Sequence, residues 1–170
     1  MKKLLCIFLS FLLVLPLISC STHKIDIQDP INFYYRKTQM DYGAAASVLG
    51  KEVRDSNGNR NNYSYLIYLY LQGPTNYAFY SPFPKDTSLV SIDLREDTAY
   101  VLLSPHMAQL TDLQLSIACA CMTMTVCEMT GAENVCISAV NSTLDGNPSI
   151  TMSLKNILLL DDSNIEINPN

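Results

Sequence analysis

Cys20 is the residue of this sequence at which a covalent reaction is most clearly indicated. It follows two lysines at positions 2 and 3 and an apolar run over residues 4–18. A basic start, a short apolar core and small residues at a cleavage point are typical of a secretory signal peptide. The pattern therefore predicts residues 1–19 as a signal peptide and places the Cys20 thiol at the start of the mature chain.

The sequence Leu17-Ile18-Ser19-Cys20 resembles the bacterial lipobox, in which the thiol receives a diacylglycerol before cleavage on its amino side. A lipid with two acyl chains is a stable anchor, because each buried methylene contributes about 0.8 kcal/mol. Two alternatives stay open. An uncleaved helical anchor would need roughly 20 apolar residues, more than this run offers. Ordinary signal peptidase would cleave before Thr22 and discard Cys20. The lipobox predicts a membrane partner through the N-terminal lipid, on the extracytoplasmic face of the cell membrane.

Four further cysteines follow at positions 119, 121, 127 and 136. Residues two apart on a helix point about 200° apart, so Cys119 and Cys121 cannot form a disulfide. The spacing leaves open only a bond from one helical cysteine to Cys136. No second close cysteine pair or histidine lies at metal-ligand spacing. We therefore expect small, buried apolar side chains, with no metal and no cofactor.

Catalytic patterns are missing from the sequence. Its two histidines are His23 and His106, and a Ser-His-Asp arrangement would have to use His106 beside Ser104. No nucleophile-elbow pattern surrounds that serine. Phosphate-loop, dinucleotide-binding and zinc-protease patterns are also absent. We therefore expect that the protein is not an enzyme.

The charge balance narrows the class of partner. Two of the 11 basic residues lie in the predicted signal peptide, so the mature chain has nine basic and 16 acidic residues and is net negative. Such a chain is repelled by phosphate backbones, and nucleic acid is not an expected partner. Apolar residues make up 48% and charged residues 16% of the sequence, which is typical of a packed domain.

Apolar periodicity and turn residues predict one domain over residues 31–146, preceded by a tether at 20–30 and followed by an extension at 147–170. The predicted order is β-β-α-β-β-α-β, an α/β (α+β) class with a small mixed sheet and two helices packed on one face. Strands are predicted at residues 31–36, 47–54, 90–95, 99–103 and 134–140, with a short one at 150–154. Helices are predicted at residues 61–72 and 111–130, the second opening on the capping-box pattern Thr111-Asp112-Leu113-Gln114.

The second predicted helix is apolar on two opposite sides. At about 100° per residue, one face and its opposite both carry aliphatic, methionine and cysteine side chains. A helix of this kind must be covered on both sides. We expect one face to lie on the sheet and the other on the first helix, and a protein partner is the alternative. The two faces are Leu113, Ile117, Ala120, Cys121, Met124 and Cys127, and Leu115, Ala118, Cys119, Met122, Val126 and Met129.

Three segments share an order and a spacing: Leu69-Tyr70-Leu71-Gln72-Gly73-Pro74, residues 83–92 (FPKDTSLVSI) and Ala99-Tyr100-Val101-Leu102-Leu103-Ser104. They resemble the helix end, the start of a strand and the following strand of the GerMN (sporulation and spore germination) domain. Val53-Arg54 also resembles an early strand of that family. The resemblance spans nearly the whole mature chain.

The resemblance implies a fold like that of ring-building modules, and family members are often bacterial surface lipoproteins. Its motif residues imply architectural roles: Gly73 supplies a left-handed helix cap, Pro74 stops the helix, Pro84 stiffens the start of a strand, and Ser104 caps the next element of the chain. The other motif positions are Leu71, Thr87 and Val101. Two departures concern Leu102, where the family has an acidic or polar residue, and the end of the last strand at Ala139-Val140-Asn141, which lacks a glycine.

Two functions of different classes are compatible with these observations. The resemblance implies a membrane-anchored lipoprotein whose non-catalytic domain is an interaction or assembly module of the cell envelope, in sporulation or germination. Other envelope proteins or further copies of the chain would be its partners. The alternative is a lipoprotein that binds a cell-wall fragment or small ligand in a groove lined by some of the 10 tyrosines.

Overall fold

The computed structural model describes residues 27–39 and 48–157, so Cys20, the predicted signal peptide, most of the tether and residues 158–170 lie outside the described residues. The predicted element order is confirmed, with one short additional strand after the first helix. The strands are β1 (Pro30–Lys37), β2 (Leu49–Asp55), β3 (Phe79–Tyr80), β4 (Leu89–Arg95), β5 (Thr98–Leu103), β6 (Asn134–Ala139) and β7 (Ile150–Ser153), and the helices are α1 (Tyr63–Leu71), a 3-10 helix (Pro105–Gln109) and α2 (Asp112–Thr130).

The strands form two sheets. Sheet 1 has the order β2-β1-β3 and is antiparallel, while sheet 2 has the order β4-β5-β6-β7. Sheet 2 is mixed. The connection through α2 makes β5 and β6 parallel neighbours, whereas β4 pairs antiparallel with β5 and β7 pairs antiparallel with β6. The α+β class is confirmed. The sequence patterns did not indicate that β1 and β2 leave the mixed sheet and pair with each other, because alternation defines a strand's faces and not its partner.

Both helices pack on the inner face of sheet 2. Alternate residues of β5 and β6 are buried there, as the period of two predicts. Leu66, Ile67 and Tyr70 of α1 join the same core, and so does one face of α2. The inner-face residues are Ala99, Val101, Leu103, Val135, Ile137 and Ala139.

The alternation in β4 does not produce the half-buried strand that it predicts. Val90 is 53% exposed and Leu94 is 40% exposed, and Ile92 alone of the three is partly covered by the core. The register shifts between Leu89 and Ser91, so a bulge displaces Val90. Because β4 is the edge strand of sheet 2, a side chain on its inner face, such as Leu94, can still be exposed to solvent.

The second face of α2 is covered except at its start, where Leu113 is 62% exposed, and α1 is not the element that covers it. Ala120 and Cys121 form a smaller apolar cluster with Leu49 of β2, and Ile117 and Met124 pack against it. Sheet 1 therefore takes the place expected for α1. By length and composition α2 could cross a membrane, but more than half of it is buried inside the domain, as in a core helix.

The start of α2 also differs from its pattern. Thr111 is the N-cap residue, as expected, but its side chain makes no capping hydrogen bond. Asp112 has a left-handed backbone with φ of 50°, which departs from the regular first turn of a capping box. The end of α2 is as expected: Gly131 has φ of 77°, and its amide donates a hydrogen bond to Cys127 O.

Candidate functional site

The family-motif residues gather at two places, of which the first is the C-terminal end of α1. Here Glu52, Arg54, Gly73, Thr75 and Asn76 form a cluster that we call the helix-end clamp. The Glu52 carboxylate is 6% exposed. It accepts hydrogen bonds from the backbone amides of Thr75 and Asn76, each at 3.0 Å to Oε2, and from Thr75 Oγ1 at 2.9 Å. The segment after the helix is thus held on β2.

Arg54 completes the clamp from the same strand. Its Nε donates to Glu52, and its other nitrogens donate to the carbonyl oxygens of Leu69 and Gly73. These carbonyls lie at the helix end, where a positive charge is favourable. The guanidinium also lies over the Phe33 ring, 5.3 Å from its centroid. Arg54 therefore joins a buried carboxylate, a helix terminus and the aromatic core.

The motif residues Leu71, Gly73 and Pro74 lie within or beside this clamp. Gly73 has φ of 89°, the left-handed conformation expected of a residue just past a helix end. A Cβ on Gly73 would have Ser81 Cβ as its nearest neighbour at 3.8 Å, so the backbone angle and not space requires glycine. Leu71 packs against the main core.

Two opposing effects set the pKa of Glu52. Burial raises it, but the hydrogen bonds from Asn76, Arg54 and Thr75 together outweigh burial and hold the pKa of Glu52 below its ordinary value. The group is therefore a charged structural carboxylate near neutral pH. A general acid would need the opposite shift.

Side chains also close the edge of β1 that β3 leaves open. The Tyr34 amide donates to Thr125 Oγ1 of α2 at 3.0 Å, and the Tyr70 hydroxyl donates to Tyr34 O at 2.6 Å. The Tyr35 hydroxyl donates to Tyr70 O at 2.9 Å, at the end of α1. An unpaired strand edge would invite further pairing, and these contacts prevent it. No pattern in the sequence indicated Thr125 in this role.

The second place where motif residues meet is the start of β4, which we call the strand-start junction and which comprises Pro84, Asp86, Thr87, Ser88 and Ser104. Ser104 Oγ accepts from the Ser88 amide at 3.0 Å, and the Ser104 amide donates to Ser88 O at 2.8 Å. The Thr87 amide closes a turn on Pro84 O at 3.2 Å. The junction fixes where β4 begins beside β5.

Ser104 has the cap position expected of it but does not cap with its side chain. It is the N-cap residue of the 3-10 helix, and its hydroxyl makes no capping hydrogen bond to the backbone of that helix. The hydroxyl instead accepts a hydrogen bond from the amide of Ser88, the residue just before β4. Val101, the remaining motif residue, is 1% exposed on the inner face of β5.

Ser104 and His106 are the one pair among the described residues that resembles catalytic chemistry. Ser104 Oγ lies 3.3 Å from His106 Nδ1. The serine is 8% exposed and its oxygen already accepts from Ser88. Within residues 27–39 and 48–157, no carboxylate hydrogen-bonds His106 to orient it. The pair lacks the third member and the accessible oxygen that nucleophilic catalysis requires.

The four cysteines are thiols in the structure. Cys119, Cys121 and Cys127 are buried, and burial raises the pKa of Cys119 to about 12 and also raises that of Cys127. Cys136 lies on the outer face of sheet 2, between the buried residues Val135 and Ile137. The disulfide to Cys136 that the spacing left open is therefore not formed, because its side chain points away from α2. No metal-binding group of three His, Cys, Asp or Glu occurs in the described part of the chain.

Two clefts among the described residues bear on the ligand-binding hypothesis. One, of about 490 Å³, lies between the asparagine-rich turn before α1 and Ile92 of β4. The other, of about 290 Å³, lies between β3 and the start of α2 and includes Arg36, Tyr80 and Gln114. Each is lined by one tyrosine, whereas Tyr35 and Tyr70 are core residues. The clefts therefore do not provide the tyrosine-lined groove of the ligand-binding hypothesis.

The fold and the two clusters define the class of protein. It is a small α+β domain whose polar side chains at these clusters form hydrogen bonds with the backbone of the same domain. The family Germane, described as sporulation and spore germination, matches residues 32–145. The chain belongs to this family, which confirms the resemblance found in the sequence. No curated protein is significantly similar in sequence.

Two solved structures agree on the fold. The first GerMN domain of the sporulation protein GerM from Bacillus subtilis has 13% identity and a TM-score of 0.55, and the match covers 75% of this chain and 98% of that one. The tandem GerMN domains of the same protein have 13% identity and a TM-score of 0.53, covering 76% of this chain and 45% of that one. A candidate lipoprotein from Clostridium perfringens has 20% identity and a TM-score of 0.48, covering 75% and 89%.

Proposed function

We propose that this protein is a lipid-anchored, extracytoplasmic lipoprotein whose non-catalytic domain is an interaction or assembly module of the cell envelope. Membership of the sporulation and spore germination family supports a role in one of those processes. The lipobox-like sequence ending at Cys20 supports the anchor. The lipid would confine the domain to one membrane face, where a high local concentration lets weak contacts matter.

One observation carries the proposal: the polar side chains of the helix-end clamp and the strand-start junction make their hydrogen bonds inside the domain. Glu52, Arg54 and Ser104 each bond backbone groups that hold secondary structure together. An enzyme of this family would need its distinctive polar groups aimed at a substrate. Here these side chains stabilise the fold, so we assign the interaction with partners to the outer surface of the domain.

The edge of sheet 2 is the surface that best suits protein contact. β4 is the outermost strand and exposes Val90 and Leu94, and Tyr100 on neighbouring β5 is 42% exposed. An edge strand offers unpaired amides and carbonyls to a partner strand, and exposed apolar side chains add buried area. Natural edge strands often carry charges that discourage such pairing; the two charges of β4, Asp93 and Arg95, pair with each other and leave Val90 and Leu94 exposed.

The test combines the anchor and the edge. Complexes are purified from cross-linked membranes containing the wild type, Cys20→Ser, or the double variant Val90→Lys with Leu94→Lys. We expect a defined hetero-complex or ladder in the wild type that Cys20→Ser releases from the membrane and the lysine variant loses. Tyr77→Lys is the matched control, because Tyr77 is 95% exposed away from a strand. A clean monomer in the wild type would contradict the proposal.

A further inference from the structure

The cleft at the start of α2 contains a cation that the described residues do not pair. Arg36 lies over the Tyr80 ring, 5.0 Å from its centroid. Its Nε is buried and has no hydrogen-bond partner among the described residues. A buried donor of this kind is costly unless a group outside those residues bonds it. Pro82, Phe83 and Leu110 supply apolar walls to the same cleft. Its chemistry suits a segment with apolar and acidic side chains.

An apolar stripe on α2 connects this cleft with the last described residue of the chain. Gln114 and Ile117 line the cleft, and Cys121 and Met124 continue the same side of the helix at spacings of three and four. Ile157 packs against the cluster that contains Cys121. The chain therefore leaves the described structure beside the middle of a stripe that ends at Arg36.

The next residues are Leu158-Leu159-Leu160-Asp161-Asp162. Four residues of extended chain reach about 14 Å. The stripe from Cys121 to Gln114 rises about 10 Å along the helix. The tail can therefore span the stripe and bring its aspartates to the cleft. Its leucines would meet Ile117 and the 62% exposed side chain of Leu113, one turn earlier on the helix.

A buried, unbonded cation favours one direction of the tail along α2. Toward the other end of the helix the tail would meet Glu128, whose carboxylate already accepts hydrogen bonds from Asn32 and the Tyr34 hydroxyl. Lys51 at that end is exposed to solvent, where an ion pair contributes little. Toward the start of α2 it would meet Arg36, whose positive charge also acts on the Cys121 thiol, opposing the rise in pKa that burial causes.

We propose that residues 158–162 of the chain's own tail dock along the start of α2, with the leucines on Ile117 and Leu113 and an aspartate on Arg36. The contact is intramolecular, so a modest affinity suffices at the effective concentration that the short connection provides. This inference does not depend on the envelope role proposed above.

Amide hydrogen exchange on the full-length protein, purified from membranes in detergent, tests this docking. We expect the amides after Ile157 to be protected about tenfold if the tail is docked about nine-tenths of the time. Arg36→Gln and the double variant Asp161→Asn with Asp162→Asn should each abolish that protection. Lys51→Gln is the matched control, since Lys51 is an exposed cation opposite Tyr34, at the Glu128 end of α2. It should leave the protection unchanged.

If Arg36→Gln weakens the fold, the double tail variant still tests the docking, because its substitutions leave the described residues 27–39 and 48–157 unchanged. Three results would overturn the docking: tail amides that exchange at the unfolded rate in the wild type, protection that survives in the tail variant, or protection lost equally in Lys51→Gln. Protection that grows with protein concentration would assign the cleft to the tail of a second copy and would also overturn the proposal.

Discussion

Replacing Arg54 with methionine should cost about 3–5 kcal/mol of unfolding free energy, because the buried Glu52 carboxylate is left without its cation. The side chains of Arg54 and Glu52 are 17% and 6% exposed, so solvent does not screen the pair as it does on a surface. The variant also loses the donors to the carbonyls of Leu69 and Gly73. A domain of this size has about 5–15 kcal/mol of stability in total, so the loss is large.

A double-mutant cycle separates the pair from its surroundings. Glu52→Gln keeps an acceptor oxygen but loses the charge, and should cost about 1.5–3 kcal/mol. With both substitutions, neither partner is left as a buried charge, so the double variant should be more stable than the sum of the single effects predicts. Urea unfolding followed by far-ultraviolet circular dichroism measures each value, since the sequence has no tryptophan.

The chain supplies a matched control in Arg95→Met. The Arg95 Nε lies 2.7 Å from Asp93, again two residues away on a strand, but the two side chains are 69% and 56% exposed. We expect little change in stability there. If Arg54→Met cost less than about 1 kcal/mol, as an exposed pair would, or if the double variant were additive, the clamp would not have the role assigned to it.

The clamp also predicts a pH dependence. The pKa of Glu52 is lowered in the folded state, whereas in the unfolded chain it takes its ordinary value of about 4.3. Its contribution is therefore complete above that ordinary value and is lost as the pH falls through the lower folded pKa. Stability measured between about pH 6 and pH 3 should fall less steeply in Glu52→Gln than in the wild type. Equal slopes would contradict the assignment.

Three further predictions concern single positions. Gly73→Ala should cost about 1–2 kcal/mol because of its left-handed backbone, and a thermal melt unchanged from the wild type would argue against that conformation. Ser104→Ala should cost about 1 kcal/mol, because the Ser88 amide loses its partner; Ser104→Thr, which keeps the hydroxyl, should recover part of the urea midpoint. A thiol reagent should modify Cys136 in the native protein but reach Cys119 and Cys121 only after unfolding, and rapid native labelling of either helical thiol would refute their burial.

Local chemistry was predicted well from the sequence, and pairing across distance was not. Gly73 and Gly131 were identified as helix stops because the left-handed conformation is a property of single residues. Which element covers the second face of α2 depends on the position of β1 and β2 in the fold, and no pattern in either strand predicts that position. The helix α1 is also apolar, so composition could not distinguish α1 from sheet 1 as the neighbour of α2.

The clamp was only half visible in the sequence. Arg54 stands in a segment that resembles the family, but no pattern in the sequence singles out Glu52. Its burial results from the return of the chain at Thr75 and Asn76, more than 20 residues later, whose amides need an acceptor. The requirement comes from the tertiary structure, and a one-dimensional pattern does not contain it.

The position of one of the two departures from the family pattern bears on what the domain contacts. Leu102 stands where an acidic or polar residue is expected, and its neighbours across the strands are Ser91 and Ser138. These side chains lie on the outer face of sheet 2, opposite the buried Val101 and Leu103. A change there leaves the core and the clamp intact, so the fold persists while the surface becomes more apolar. A surface altered in this way would select a partner different from that of relatives with a charge at the same position, because specificity is a difference between affinities.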